Sequence, residues 1–269
     1  MTRCLPLLFL LLASCASYAP HPAGEEIIRN LVYAHRATGD QHLDIYLPAG
    51  KPPYATLMWI HGGGWKYGSK GFQFYLRTMT ERGFAVATID YRLSGVAKYP
   101  AQYEDTKAAF DWLRANGSKY GLRTDHMFLA GASAGGHLAA LLGVKEGRAK
   151  VDAVCAIYPA TNLTGFDNQD GTKGYLPSLL GGSVNTHRAL AESGSPVRIV
   201  TSDAPPFLFF HGDKDILVPI AQSQELDRKL RAKGVESKLV VLPGQPHNYV
   251  LNHEQINQVA KFFRQHQHR

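Results

Sequence analysis

From residue 41 onward, two patterns of apolar and polar positions alternate along the chain. Short runs rich in Ile, Val, Phe and Leu predict buried strands, and the stretches between them repeat their apolar positions at helical spacing. The predicted strands are His42–Leu47, Thr56–Ile60, Phe84–Ile89, Met127–Ala130, Val151–Tyr158, Pro206–His211 and Ser237–Leu242. The predicted helices are Phe72–Arg82, Tyr103–Ala115, Gly135–Leu142, Ile220–Lys233 and Glu254–His266.

This alternation predicts an α/β fold with a mostly parallel central sheet and helices on both faces. The first strands have no helix between them, which allows them to pair antiparallel. Residues 15–40 are interpreted as an N-terminal tether and lead-in, and residues 41–269 as one catalytic domain. Residues 161–196 form a long polar stretch with several glycines that interrupts the alternation of strands and helices. We interpret it as an insert that lies beside a functional site, and the alternative is a surface loop without a functional role.

Composition and charge narrow the class of protein. The chain has 269 residues, of which 45% are hydrophobic and 19% charged, so it is not a disordered sequence. Its net charge is +7, but the excess is spread thinly, and the densest basic stretch, Arg228–Lys233, follows acidic residues. Nucleic-acid binding proteins cluster such charge on one stripe, so no nucleic-acid partner is expected.

The first residues have the pattern of an export signal. Arg3 is followed by the apolar run Leu5–Leu12, which is too short to span a bilayer. The residues before Cys15 resemble a bacterial lipobox, so residues 1–14 are interpreted as a signal segment that is cleaved before a lipidated Cys15. That reading predicts an exported protein anchored to a membrane surface. The alternative is secretion in soluble form after cleavage behind Ala19.

One pentapeptide predicts a nucleophile. Residues 131–135 read Gly-Ala-Ser-Ala-Gly, which matches the G-x-S-x-G pattern that places Ser133 on a sharp turn from strand to helix. The turn leaves no room for bulky neighbours, and an apolar run precedes it. Upstream, residues 61–65 read His-Gly-Gly-Gly-Trp directly after a predicted strand. Their backbone N–H groups are candidates for stabilising an oxyanion.

The partners of such a serine are an acid and a histidine. Asp213 and Asp215 both follow the strand that ends at His211, so the position alone leaves both open. His247 follows the last predicted strand. The chain order of serine, aspartate and histidine is the order of an α/β-hydrolase triad.

Taken together, the segments HGGGW, GASAGGH, HGDKDILVP and GQPHNY resemble the esterase/lipase branch of the α/β-hydrolase superfamily. DYRLSGVAKYPAQYEDTKAAFDWLRAN narrows the resemblance to small carboxylesterases grouped with bacterial feruloyl and acetylxylan esterases. The resemblance runs from about residue 40 to 265. It implies an α/β-hydrolase fold and a cofactor-free serine carboxylester hydrolase that acts on a small-molecule or carbohydrate ester.

The resemblance also assigns roles to residues. It implies that Ser133 is the nucleophile, Asp215 the acid and His247 the base. The oxyanion donors are then the N–H groups of Gly63, Gly64 and Ala134. Few residues precede HGGGW, so we expect a small insert rather than a large cap, and short acyl chains as substrates. An aryl-formamidase, a peptidase with the same triad and a non-catalytic binding protein remain alternatives.

The remaining residues of these motifs have less specific expected roles. Trp65 is expected either to line the substrate pocket or to cap the sheet. His61, His137 and His211 are interpreted as structural. No metal site is predicted, since no carboxylate or third ligand accompanies His266 and His268 in the sequence.

Overall fold

The computed structural model describes residues 26–71, 73–165 and 174–268. The predicted signal segment and Cys15 lie outside these ranges, as does part of the predicted insert. Within them, no helix is both long enough and apolar enough to cross a bilayer.

Eight strands and eight helices follow one another in the described ranges. The strands are β1 Glu26–Ala34, β2 Gln41–Leu47, β3 Ala55–Ile60, β4 Phe84–Ile89, β5 Met127–Ala132, β6 Val151–Ile157, β7 Phe207–Gly212 and β8 Ser237–Leu242. The helices are α1 Gln73–Thr80, α2 Ala101–Asn116, α3 Ala134–Glu146, α4 Tyr175–Leu180, α5 Arg188–Ser193, α6 Pro196–Ile199, α7 Ala221–Ala232 and α8 His253–His266.

The strands form a single sheet in the order β1-β2-β4-β3-β5-β6-β7-β8. The β1–β2 and β2–β4 pairs are antiparallel, and every pair from β4–β3 to β7–β8 is parallel. The predicted fold class is therefore confirmed. Of the first two predicted strands, His42–Leu47 (within β2) is antiparallel to its neighbours, whereas Thr56–Ile60 (within β3) is parallel to both of its own, and the two do not pair with each other.

The sheet begins earlier than the sequence predicted. Strand β1 lies within the segment interpreted as a tether and lead-in, and it forms the edge of the sheet. Its register against β2 shifts at two places, after Ile28 and after Val32. These irregularities break the strict alternation of buried and exposed side chains, and alternation is the pattern by which a half-buried strand is recognised.

Buried side chains cover both faces of the sheet. One apolar cluster includes Phe110 of α2, Leu138 of α3 and Leu226 of α7. The other includes Leu76 of α1 and Phe263 of α8. The two clusters make the sheet the middle of three layers, so the loops after the carboxyl ends of β3, β5, β7 and β8 meet at one rim.

The predicted insert contains helical structure. Its described part includes α4 and α5 and the beginning of α6. Leu176, Leu179 and Leu180 of α4 and Ala191 of α5 are buried against the rest of the protein. The described part of the insert is therefore packed onto the domain.

Candidate active site

Ser133 lies between β5 and α3 in a backbone conformation that few residues with a side chain adopt. Its φ is +55° and its ψ −119°. A Cβ on Gly131 would meet the backbone of Gly135 at 2.5 Å, and a Cβ on Gly135 would collide with the carbonyl oxygen of Ile60. Glycine at both positions therefore lets the start of α3 pack directly on β3, with Ser133 at the tip of the turn.

His247 contacts both of its predicted partners. Its Nε2 lies 3.0 Å from Oγ of Ser133, and its Nδ1 lies 2.6 Å from Oδ2 of Asp215. With the Nδ1 proton donated to the carboxylate, Nε2 is left to accept a proton from the serine hydroxyl. The ring of Tyr158 packs against the imidazole at a centroid distance of 4.6 Å. The structure thus brings together three side chains that are widely separated in the sequence.

Asp215 is held by hydrogen bonds on both oxygens. Oδ1 accepts from the N–H groups of Leu217 and Val218, at 3.0 and 2.8 Å. Oδ2 lies 3.3 Å from Nε2 of His211 in addition to its bond from His247. Burial alone would raise the pKa of Asp215, but the hydrogen bonds from His211, His247 and Val218 outweigh it and hold the pKa well below its usual range.

The two candidate acids occupy different environments. The Asp215 side chain is inaccessible to solvent and faces His247. Asp213 is exposed, and its Oδ1 accepts a hydrogen bond of 2.7 Å from the N–H of Gly244. Asp213 therefore fastens the loop that carries His247, while Asp215 contacts the imidazole itself.

The predicted oxyanion donors surround Ser133. Gly63 and Gly64 both have positive φ, +108° and +60°. Among the described residues, neither amide donates to another protein group. Ala134 is the first residue of α3, where the N–H has no partner inside the helix. All three residues line one small cavity together with Ser133, so the structure brings the three predicted donors together beside the predicted nucleophile.

Trp65 is buried, with only 2% of its surface exposed. Its Nε1 donates to Nδ1 of His137 at 3.1 Å, and Nε2 of His137 donates to the carbonyl oxygen of Gly194 at 2.7 Å. Burial lowers the pKa of His137 to about 4, so the ring stays neutral and can both donate and accept. Trp65 also borders the small cavity. It therefore lines the candidate site and, through His137, links the loop at residues 61–65 to the insert.

Two cavities open on Ser133. The larger one, of about 630 Å³, has an aromatic lining that includes Trp59, Tyr67, Tyr75 and Tyr158. The smaller one, of about 140 Å³, is lined by Tyr175 of α4 together with Leu217 and Val218. A Cβ on Gly64 would collide with the Tyr175 ring, so the insert lies directly against the loop at residues 61–65.

Sequence reasoning missed the supporting residues. His211 and His137 were interpreted as structural, and they do hold backbone carbonyls, but each also contacts a side chain of the site. Tyr158 and Tyr175 were not singled out. His211 stands four residues before Asp215, at the end of a strand, and that spacing is the one signal that could have found it.

A separate cluster contradicts one expectation about metals. His268 does have a carboxylate and a third possible ligand near it, because Asp152 and His126 lie beside it at the opposite end of the sheet. The sequence could not reveal this, since the three residues are far apart in the chain.

Comparison with known proteins agrees with the fold. The family model BD-FAE matches residues 43–230 of this chain. The curated protein Esterase LipC of Mycobacterium tuberculosis is 31% identical over 250 residues, which cover 83% of this chain and 62% of LipC. Esterase LipQ of the same organism is 32% identical and covers 73% of this chain and 50% of LipQ. The chain thus spans half to about three fifths of these relatives.

Solved structures of esterases superpose on this chain over most of its length. A truncated carbohydrate esterase from gut microbiota superposes with a TM-score of 0.79 and 26% identity, over 90% of this chain and 96% of that chain. The bifunctional GH43-CE protein of Bacteroides eggerthii superposes with a TM-score of 0.82 and 28% identity, over 89% of this chain and 38% of that chain. Proteins named esterase and carbohydrate esterase, all of the α/β-hydrolase superfamily, are thus similar to this chain. Because the family model spans well over half of the sequence, this chain belongs to the BD-FAE family of that superfamily.

Proposed function

We propose that this protein is a serine carboxylester hydrolase that cleaves short-chain acyl esters of a bulky alcohol such as a carbohydrate. The observation that carries the proposal is the continuous contact from Ser133 through His247 to Asp215, at 3.0 and 2.6 Å. This arrangement activates a hydroxyl for attack on a carbonyl carbon. The esterase names of the relatives support the reaction class.

The mechanism follows from the positions of the groups. Oγ of Ser133 attacks the ester carbonyl while Nε2 of His247 takes the hydroxyl proton, and Asp215 stabilises the resulting imidazolium. The carbonyl oxygen becomes negative and is met by the N–H groups of Gly63, Gly64 and Ala134. Collapse of this intermediate expels the alcohol, which receives the proton from His247. Water activated by His247 then releases the acid and regenerates Ser133.

The two cavities support separate binding places for the acyl group and the alcohol of the ester. The small cavity is lined by the residues of the proposed oxyanion donors and by Tyr175, and its volume of about 140 Å³ suits a short acyl group. The larger cavity opens from Ser133 on the other side and takes the alcohol. Its aromatic rings offer flat apolar faces on which a sugar or a phenolic group can stack.

Turnover of a panel of esters tests this proposal. We expect hydrolysis of p-nitrophenyl acetate and butyrate and of acetylated xylan, and loss of turnover by about 10⁶-fold in Ser133→Ala. A folded wild-type protein that cleaves none of these esters would contradict the proposal. Aryl formamides and peptides belong in the same panel, because faster turnover of either would assign the triad to a different acyl bond.

We also propose that the protein is exported and anchored to a membrane through a lipidated Cys15. This proposal rests on the apolar run and the lipobox-like residues before Cys15.

A further inference from the structure

Three side chains meet at the end of the sheet opposite the active site. His126 directly precedes β5, Asp152 is the second residue of β6, and His268 follows α8. Ser133 follows the other end of β5, seven positions after His126, so the cluster is roughly 23 Å from it at about 3.3 Å per residue. The cluster is therefore a separate feature and not a part of the proposed catalytic machinery.

The donor atoms of the cluster converge. Oδ1 of Asp152 lies 2.7 Å from Nδ1 of His268 and 3.2 Å from Nδ1 of His126. One ligand atom from each residue lies within 4.8 Å of the other two. Two imidazole nitrogens and a carboxylate oxygen are a donor set that suits Zn²⁺ and other first-row transition metals.

The carboxylate of the cluster is buried and faces two imidazole rings. The Asp152 side chain is 3% exposed, and among the described residues no Lys or Arg forms an ion pair with it. A buried carboxylate is costly without a cation. The rings of His126 and His268 stack face to face, 3.9 Å apart and 8° from parallel.

One polar atom in the cluster also lacks a partner. Nδ1 of His126 is shielded from solvent, and its contact with Asp152 does not have the geometry of a hydrogen bond. Buried polar nitrogens are almost always satisfied, by protein, by water or by a metal. A cation between the three residues would satisfy this nitrogen and neutralise Asp152 at once.

We propose that His126, Asp152 and His268 bind one divalent transition-metal ion of the Zn²⁺ class, with solvent completing its coordination. The ion joins the end of α8 to the sheet, where Arg123 already donates to the carbonyl oxygen of His268 at 2.6 Å. Because the two rings are nearly parallel, one of them tilts for both nitrogens to reach the ion. The His268 side chain is 58% exposed and has the room to do so.

Titration of the metal-free, full-length protein with Zn²⁺ tests the site. We expect one ion bound per chain and a Tm raised by roughly 5–10 °C at a hundredfold excess of zinc over Kd. Co²⁺ bound in its place should give the visible absorption of a nitrogen- and oxygen-ligated ion. Turnover of p-nitrophenyl acetate by the folded protein should not change, so failure of this site is distinguishable from failure of the proposed esterase activity.

Variants identify the ligands. His268→Ala and Asp152→Asn should abolish both the Tm shift and the cobalt spectrum. His35→Ala is the matched control, because His35 forms an exposed pair with Asp40 at 2.7 Å and should bind no structural ion. If Asp152→Asn does not fold, His268→Ala decides alone, since its side chain lies on the exposed tail. Absence of stoichiometric binding, or binding that survives in His268→Ala, would overturn the proposal.

Discussion

Nε2 of His211 lies 3.3 Å from the same oxygen of Asp215 that accepts the hydrogen bond of His247. His211 is fully buried, and its other nitrogen contacts Oγ of Ser223 at 2.7 Å. The carboxylate is thus approached by two imidazoles, one that faces Ser133 and one fixed in the core. This relationship makes His211 a positioning residue for Asp215.

Replacing His211 should destabilise the protein in a pH-dependent way. The hydrogen bonds on Asp215 lower its pKa in the folded protein. They therefore stabilise the fold fully at pH values above the pKa of an aspartate in the unfolded chain, about 3.9, and this stabilisation is lost as the pH falls through the pKa in the folded protein. We expect His211→Gln to lower the free energy of unfolding by about 1.5–3 kcal/mol near pH 7. Urea unfolding at several pH values should show this deficit shrinking below pH 4, whereas a purely structural role predicts a constant deficit.

The two aspartates should differ sharply in their effect on turnover. Asp215→Asn removes the charge that holds the His247 tautomer, and we expect kcat to fall by about 10⁴-fold. Asp213→Asn is the matched control, because it removes an exposed carboxylate that accepts a hydrogen bond from the backbone N–H of Gly244 rather than from His247. Its kcat should fall much less. With both variants shown to be folded by circular dichroism, the reverse ranking would refute the assignment of the acid.

Acyl-chain preference should depend on Tyr175. In the wild type, kcat/KM for p-nitrophenyl esters should peak at acetyl to butyryl and fall by octanoyl, because the small cavity, which this ring lines, has a volume of only about 140 Å³. Tyr175→Ala opens the cavity, and each further buried methylene then contributes about 0.8 kcal/mol, so the optimum should move to longer chains.

The control for this experiment is Val250→Ala, which alters only the larger cavity. Its acyl-chain profile should match that of the wild type. A wild-type profile that keeps rising from octanoyl to dodecanoyl would contradict the assignment of the small cavity to the acyl group.

The proposed lipid anchor makes a prediction about fractionation. A multiply acylated Cys15 holds a protein firmly at a membrane, whereas a single chain does so only marginally. Cys15→Ser should therefore move the protein from the membrane fraction to the soluble fraction or leave an uncleaved precursor. Wild-type protein that is soluble and begins at Pro20 would refute the lipoprotein hypothesis.

Much of this architecture could be predicted because the relevant signals are local. Seven strands had clear apolar runs, and Ser133 lies in a pentapeptide whose glycines are required by the turn itself. The edge strand β1 was not predicted, because its register shifts disrupt the alternation of buried and exposed side chains. Asp213 and Asp215 could not be separated by position alone, since only burial and contact with His247 distinguish them.

Other features depend on contacts between distant parts of the chain. The bond from Trp65 to His137 spans 72 positions, and the cluster around Asp152 joins residues 126 and 268. No local pattern records such contacts, because they arise only when the helices pack on the sheet. Tyr175 illustrates the same point, since its role depends on how the insert folds over Gly64.

Covalent labelling with a fluorophosphonate tests the central claim, that Ser133 is an activated nucleophile. The reagent reacts with a serine whose proton a neighbouring base removes, and its phosphoryl oxygen occupies the oxyanion site. Intact-mass and peptide analysis should show one adduct per chain, located on Ser133, absent in Ser133→Ala and strongly slowed in His247→Ala. An unlabelled but folded wild-type protein, or an adduct on another residue, would contradict the account.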